Sequence, residues 1–343
     1  MGIVDTLAPP MTAARSPVRN WRKLLQPYRS PLPLRSALEL AVTLVPFVAL
    51  WLAAYAALQV SVWLTLLIAI PAAAFLVRLF LIQHDCGHNA FFESRLLNDW
   101  LGRTLGVLTM TPYSVWRHSH AVHHASAGNL DERGIGDIKT LTIAEYRALS
   151  PLQRLRYRLY RHPLVMFGIG PAALFLFMHR LPLGQMQHGW KPWASAMGTN
   201  AAIIAAAAAV MALIGVEAFL IVHLPIVAIG ASMGVWLFYV QHQFEDTHWS
   251  VPPEWSHEEA ALYGSSHYDL PGGLKWLTAY IGVHHVHHLA SRIPYYRLPE
   301  VLRDFPELLD VRRITVAESI ACVKLKLWDP ERKRLVTLDA AGV

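Results

Sequence analysis

The amino-acid sequence predicts an all-α integral membrane protein with four transmembrane helices and a cytosolic helical cap. Three observations indicate this fold: an apolar composition, four long stretches almost free of charge, and a one-sided distribution of basic residues. Of the 343 residues, 54% are hydrophobic and only 16% are charged, and the mean hydropathy is +0.31. A soluble domain does not bury so large an apolar fraction, so part of the surface must face lipid.

The apolar stretches lie at about residues 36–57, 60–83, 196–215 and 218–240. Each is long enough, at about 1.5 Å per helical residue, to cross a hydrocarbon core of about 30 Å. Glu39 and Arg78 are the only charged residues within them. Gly230 and Gly234 in the last stretch form a small-xxx-small pattern, which we assign to ordinary helix packing.

The basic residues predict the orientation. All but one of the 30 Lys and Arg residues lie outside the stretches, and the two short connections between paired stretches contain none. By the positive-inside rule, both termini and the long central loop are cytoplasmic. We therefore expect one domain over residues 1–343, composed of a cytosolic N-terminal segment (1–35), the four spans, a cap (84–195 and 241–325) and a loosely held tail (326–343). The net charge of +6 is explained by loops beside an anionic leaflet and predicts no nucleic-acid partner.

Three short histidine motifs accompany the predicted spans: HDCGH at 84–88, HAVHH at 120–124 and HHVHH at 284–288. Spacings of three and four residues place the side chains on one helix face. Neutral imidazole is a common ligand of iron, copper and zinc, and the eight motif histidines named below exceed what one zinc ion needs. The motifs therefore predict a site for two metal ions in the cap. With His242 as the best ninth candidate, the predicted ligands are His84, His88, His120, His123, His124, His242, His284, His287 and His288.

The apolar segment 163–179 is a further membrane candidate. It is short, contains proline and glycine, and follows a basic run, so we expect an interfacial or re-entrant placement. A fifth full crossing would separate the third histidine motif from the other two.

The remaining histidines carry a simpler interpretation. His118 precedes the second motif but does not complete the H-x-x-H-H pattern that the second and third motifs share. Isolated histidines are most often core or surface residues with a satisfied hydrogen bond, and we assign that role to His162, His179, His188, His223 and His257.

Acidic and aromatic side chains near the motifs are candidates for supporting roles. Metal-bound histidines usually donate their second ring N–H to a carboxylate or carbonyl, and the candidate carboxylates are Asp85, Asp137, Glu245, Asp246 and Asp269. Five aromatic residues could line a substrate tunnel, or alternatively anchor the protein at the membrane interface or belong to the core: Trp116, Trp236, Phe238, Tyr239 and Phe244.

The chemistry of an all-imidazole metal site beside a membrane favours oxidation. Such a site leaves positions open for dioxygen, and the nearest substrate is a lipid alkyl or acyl chain. Zinc hydrolysis is disfavoured because the chain has no H-E-x-x-H motif. A haem cytochrome or a non-catalytic metal carrier is a second alternative, but haem ligands would lie inside facing spans, whereas these motifs follow the span ends.

The three motifs, their order and the span layout resemble the membrane fatty acid desaturases from about residue 35 to 310. Finer details, such as HDCGHNAFF, YVQHQFEDT and GVHHVHHLASRIPYYRLPE, are similar to bacterial omega-6 or delta-12 enzymes. The resemblance implies a bacterial inner-membrane enzyme that uses two non-haem iron ions and O2 to insert a cis double bond into an acyl chain. It also implies that the nine histidines bind the metals.

The resemblance leaves several points open. The substrate can be an acyl-lipid or an acyl thioester, and the electrons can come from a ferredoxin or a cytochrome b5 type donor. The donor is a separate protein because the haem-binding H-P-G-G signature is absent. A lipid hydroxylase, an acetylenase and a carotenoid-modifying oxygenase share the same scaffold. Tyr280, His248 and His267 depart from the residues expected at those positions.

Overall fold

The computed structural model describes residues 20–134, 136–183 and 189–343, so that His188 lies outside the described residues. In chain order the α-helices are α1 (Trp21–Leu24), α2 (Pro33–Ala57), α3 (Val62–Gly87), α4 (Arg95–Leu108), α5 (Tyr113–Ser126), α6 (Ile143–Ala148), α7 (Pro151–Tyr160), α8 (Gly170–Leu176), α9 (Trp190–Ile214), α10 (Val216–His242), α11 (His257–Tyr263), α12 (Gly272–Leu277), α13 (His284–Leu289), α14 (Leu298–Asp304) and α15 (Val316–Cys322). A π-helix spans Val165–Ile169, and short 3-10 helices span Gln26–Arg29, Met178–Arg180, Tyr295–Arg297 and Pro306–Leu309. The short strands are β1 (Leu141–Thr142), β2 (His267–Tyr268), β3 (Arg313–Ile314), β4 (Leu327–Asp329) and β5 (Arg334–Val336).

Four helices, α2, α3, α9 and α10, are long and apolar enough to cross a membrane, which confirms the four predicted spans. Their limits follow local sequence signals. The Ser61 side chain caps α3 by accepting a hydrogen bond from the Trp63 N–H at 3.2 Å. Gly215 separates α9 from α10 with a φ of +88°, a backbone conformation that side chains with a Cβ rarely adopt.

The four spans differ in burial. Within its most apolar window, 56% of α3 is buried against α2 and α10, whereas none of the α9 window is buried. Residues such as Ile204 and Leu213 on α9 are 68% and 84% exposed. An apolar surface of this extent is typical of a helix that faces lipid. Helix α3 is therefore the centre of the bundle, and α9 lies at its periphery.

The two charged residues within the spans pair with each other. Arg78 on α3 and Glu39 on α2 are 0% and 2% exposed and form a salt bridge. Glu39 also accepts from Arg35 at 2.6 Å and from the Tyr295 hydroxyl at 3.1 Å, while Arg78 donates to the Thr43 hydroxyl at 3.0 Å. Loss of either partner would leave an unpaired buried charge, which is strongly destabilising.

The segment 163–179 does not form a straight span. Pro151–Tyr160 and Val165–Arg180 meet at an angle of 56°, and the second part changes from π-helix to α-helix to 3-10 helix within sixteen residues. The bend carries this segment against α10.

The prediction of a loosely held tail is wrong. Strands β4 and β5 form an antiparallel hairpin that pairs with β1. Leu327 and Leu335 are fully buried, and Trp328, 1% exposed, stacks on Trp249 at 5.2 Å. The charged residues that suggested a loose end occupy the turn, while the apolar residues beside them pack against α6 and α7.

Candidate metal centre

The histidine motifs stand at the same end of the bundle. His84 lies in the last turn of α3, and His88 caps that helix. The second motif occupies the C-terminal half of α5, His242 is the last residue of α10, and the third motif begins α13. Because α3 and α10 both run toward this end, the ends of two neighbouring spans meet the two cap helices that carry the other motifs.

The nine histidines form two groups. Within each group, one ring nitrogen per residue lies within 4.8 Å of those of all the others. The five-histidine cluster consists of His84, His88, His120, His124 and His287. The four-histidine cluster consists of His123, His242, His284 and His288. The fold thus brings together every residue that the sequence proposes as a ligand, and divides the second and third motifs between the two groups.

The ring nitrogens are spaced as ligands of one ion would be. In the four-histidine cluster the Nε2 atom of His242 lies 3.2 Å from that of His123 and 2.9 Å from that of His284. In the five-histidine cluster the His124 Nε2 atom lies 3.1 Å from that of His120 and 3.0 Å from that of His287. Metal–nitrogen bonds of about 2.1 Å at right angles separate two nitrogens by roughly 3.0 Å. Both clusters therefore fit a metal ion at their centre.

Burial keeps these imidazoles neutral. Desolvation lowers the pKa well below its ordinary value in the cluster residues beyond the spans, namely His88, His120, His124, His284, His287 and His288. The neutral ring is the form that binds metal. The Nε2 atom of His88 is also buried without a hydrogen-bond partner among the described residues, as expected for an atom that faces an ion.

Two of the five candidate carboxylates reach the clusters. Asp137 lies 2.5 Å from the Nδ1 atom of His123, and Asp85 lies 3.3 Å from that of His84 while accepting from the Tyr295 N–H at 2.8 Å. These contacts fix the ring orientation and leave Nε2 free for a metal.

The other three carboxylates do not reach the clusters. Glu245 pairs with Arg334 at 3.0 Å, and Asp269 forms salt bridges with Lys275 and Arg313. Asp246 is exposed. Their prediction as supporting residues is wrong because basic side chains on other cap segments lie closer to two of them.

The histidines outside the two clusters have separate environments. His118, His162 and His257 are exposed, and the His223 ring accepts from the Trp51 indole N–H at 3.4 Å. The Nδ1 atom of His179 is buried without a hydrogen-bond partner among the described residues, contrary to the satisfied environment expected for it.

The departures from the resemblance lie outside the two groups. His267 packs against His285 with 5.7 Å between ring centroids, and His248 lies near Glu259. Tyr280 has a φ of +53° in the turn before α13.

A cavity of about 760 Å³ leads away from the clusters. His84, His120 and His284 line one end, and much of the remaining wall comes from α3, α10 and residues 165–183. This volume is within the range of about 300–1,000 Å³ typical of ligand pockets. Most of its lining residues are apolar or glycine, so the cavity suits an apolar chain.

The lining of the cavity shows which of the five aromatic tunnel candidates border it. Trp116 and Phe238 line it next to the histidines. Trp116 stacks on His120 at 4.7 Å, and Phe238 contacts His123 at 5.1 Å. Trp236, Tyr239 and Phe244 do not line it, so their assignment is wrong: Tyr239 and Phe244 belong to the buried core, and Trp236 packs against Phe167.

Sequence reasoning missed the wall that residues 165–183 supply to this cavity. An apolar segment broken by Gly170 and Pro171 was the available signal, but nothing in the sequence showed which helices it covers. The Arg78–Glu39 pair was also missed, although opposite charges in adjacent spans are a recognised sign of pairing.

Helical spans, two imidazole clusters and an apolar cavity define the chain as a membrane-embedded protein with a site suited to metal ions and lipid chains. Residues 61–318 match the family described as "Fatty acid desaturase". A Bacillus subtilis protein named "Fatty acid desaturase" is 44% identical over 93% of this chain and 90% of its own length. The chain therefore belongs to the fatty acid desaturase family, a family of oxidoreductases, and the resemblance seen in the histidine motifs is confirmed.

More distant relatives carry more specific names. The "sn-1 acyl-lipid omega-3 desaturase (ferredoxin)" of Synechocystis is 30% identical over 64% of this chain and 61% of its own length. The "sn-1 oleoyl-lipid 12-desaturase" of Anabaena variabilis is 25% identical over 71% of this chain and 69% of its own length.

Proposed function

We propose that this chain is an acyl-lipid desaturase that inserts a cis double bond into a membrane acyl chain, with an iron ion in each histidine cluster. One observation carries the proposal: an apolar cavity inside a membrane protein ends directly at two groups of neutral imidazoles. The names of the relatives support a lipid-bound acyl chain and a position near carbon 12 or the methyl end.

The proposed reaction consumes the acyl chain, one O2, two electrons and two protons, and yields the alkene and two water molecules. Bound iron would supply the oxidising chemistry that removes hydrogen from unactivated methylenes. The nine histidines would hold the ions as His84, His88, His120, His124 and His287 for one, and His123, His242, His284 and His288 for the other.

The protein itself would orient the acyl chain and the metal-binding histidines, and would exclude water from the site. The apolar walls from α3 and α10 hold the chain beside His84, His120 and His284. Asp137 and Asp85 each hold a histidine through its Nδ1 atom, which keeps the Nε2 atoms directed at the metal. An acyl chain that fills the cavity would exclude water from the reacting methylenes.

We further propose that the clusters and both termini face the cytoplasm of a bacterial cell, with the spans in its inner membrane. The distribution of basic residues supports this orientation. The electrons would come from a separate protein of the ferredoxin or cytochrome b5 type, and the name of the Synechocystis relative favours ferredoxin.

The test is the fatty acid profile of a host that lacks polyunsaturated lipids and expresses this chain with a suitable reductant. We expect a new unsaturated acyl chain, absent when His123→Ala is expressed and retained with His118→Ala, since His118 lies on the same helix outside the clusters. Hydroxylated, acetylenic or other oxidised products without a new alkene would replace the proposal with a sister oxygenase. An unchanged profile with an active donor would contradict it.

A further inference from the structure

The two glycines of the small-residue pattern on α10, Gly230 and Gly234, have different surroundings in the structure. A Cβ atom built on Gly230 would lie 3.4 Å from the Leu76 side chain and 3.5 Å from the Ala73 carbonyl, so Gly230 packs closely on α3. A Cβ atom on Gly234 would meet no atom within 4 Å among the described residues. Both glycines line the cavity. Helix packing thus explains the first glycine but not the second.

Gly234 lies a short way from the histidines along the cavity. Four residues further on, about 6 Å along the helix axis, Phe238 contacts His123 at 5.1 Å and His242 at 5.2 Å. Residues four apart share a helix face, and both residues line the cavity. A side chain at Gly234 would therefore project into the cavity just beyond the point where it passes the clusters.

The cavity continues past Gly234 away from the histidines. Because α10 runs toward its histidine at residue 242, its lining residues with lower numbers, down to Val227, lie deeper between the spans. On α3 the same reasoning places Leu76 and Val77 at that end. The lining residues that α3 and α10 supply to the deep part are all apolar, so it suits the methyl end of a chain and not its polar headgroup.

We propose that Gly234 sets how far the methyl end of the acyl chain can pass beyond the metal clusters. The inference rests on the proposed function and adds a residue that determines chain length and double-bond position. A larger side chain at 234 would stop the methyl end earlier, so that fewer methylenes fit between the reacting carbons and the chain end. The enzyme would then prefer shorter chains, or place the double bond nearer the methyl end.

The experiment is a graded series, Gly234→Ala, Gly234→Val and Gly234→Leu, expressed in a host whose lipids contain both 16- and 18-carbon chains. The matched control is Gly198→Leu. Gly198 is an exposed glycine on α9 whose Cβ would also meet no described atom within 4 Å, yet it lies outside the cavity lining. Chain length and double-bond position of the products are measured together with bound iron per chain.

We expect the ratio of long-chain to short-chain product, or the length of the methyl-side segment, to fall stepwise along the series. Each excluded methylene should change the ratio by roughly tenfold or more. Iron content and the Gly198→Leu profile should equal those of the wild type. The inference is overturned if Gly234→Leu gives the wild-type profile.

If Gly234→Leu makes no product, the alanine and valine variants decide: a shifted ratio supports the inference, and an unchanged ratio overturns it. A loss of iron along the series would also overturn it, because the glycine would then serve the clusters and not the chain. If the wild-type chain itself makes no alkene, the proposed function fails, and this outcome is distinct from a failure of the Gly234 assignment.

Discussion

The two histidine clusters share a ligand type but differ in their surroundings. His88, His120 and His124 of the five-histidine cluster are only partly buried, and His84 and His120 line the cavity. All members of the four-histidine cluster are buried, and only His284 reaches the cavity. The closer of the two carboxylate contacts, Asp137 on His123, belongs to the four-histidine cluster. The five-histidine cluster is therefore the more open to the cavity, and the four-histidine cluster has the closer carboxylate contact.

Removing one ligand from either cluster should give the largest effect. We expect His287→Ala and His288→Ala, one in each cluster, each to reduce desaturation by more than about 100-fold, since loss of an outer-shell partner alone costs 10–100-fold. Product formation in membranes measures the effect, with His118→Ala as the control. Wild-type activity in either variant would remove its cluster from the reaction.

Substitution of the two carboxylates that contact histidines should affect the two clusters to different degrees. Asp137→Asn should lower activity or metal affinity by roughly 10–100-fold, because Asp137 lies 2.5 Å from the His123 Nδ1 atom. Asp85→Asn should cost less, since its contact with His84 is 3.3 Å. Metal titration of both variants checks the order, with exposed Asp246→Asn as the control. The reverse order would show that the hydrogen-bond distance does not govern support.

Acidification should destabilise both clusters, and the five-histidine cluster should lose its metal at the higher pH. Burial lowers the pKa of His120, His124 and His288 in the folded protein, whereas unfolded histidines titrate near 6.5. As the pH falls below about 6.5, the unfolded state therefore binds more protons, and stability is lost at up to about 1.4 kcal/mol per histidine and pH unit.

Metal release and thermal unfolding between pH 8 and 5 measure this effect. We expect stability to be retained above about pH 6.5 and lost below it, with the partly buried five-histidine cluster losing its metal at the higher pH. Constant stability from pH 8 to 5, or earlier loss from the four-histidine cluster, would contradict the difference in accessibility.

The smallest effects should come from the aromatic residues that face each cluster. Trp116 stacks on His120, and Phe238 contacts both His123 and His242. Aromatic contacts are worth about 0.5–1.5 kcal/mol, so Trp116→Leu and Phe238→Leu should lower activity about 2- to 12-fold and retain the metals. Activity and metal assays on the two variants check this. Loss of metal from either would show that the ring is needed to build the cluster.

The sequence predicts most of this architecture for identifiable physical reasons. Spans are set by the thickness of the bilayer, so uncharged length alone located all four. The histidine motifs lie at the end of α3 and on α5 and α13, and helical spacing determines which side chains share a face. His242 could be predicted from the sequence because it ends a span on the same side as the first motif.

The features that the sequence did not predict depend on contacts between segments far apart in the chain. Which carboxylates reach a histidine, and which aromatic rings reach the cavity, follow from packing in the cap. The buried hairpin around Trp328 was hidden because its charged turn resembles a free end. Gly234 and Gly230 look identical in sequence, and only the space beside each one distinguishes them.

The central claim is that each cluster holds one metal ion, and the most direct measurement is the iron content of the purified protein. The account predicts about two iron ions per chain in the wild type, and about one in both His287→Ala and His288→Ala, because each variant damages a different cluster. Iron near one per chain in the wild type, or unchanged iron in both variants, would contradict the assignment of the two clusters as separate metal sites.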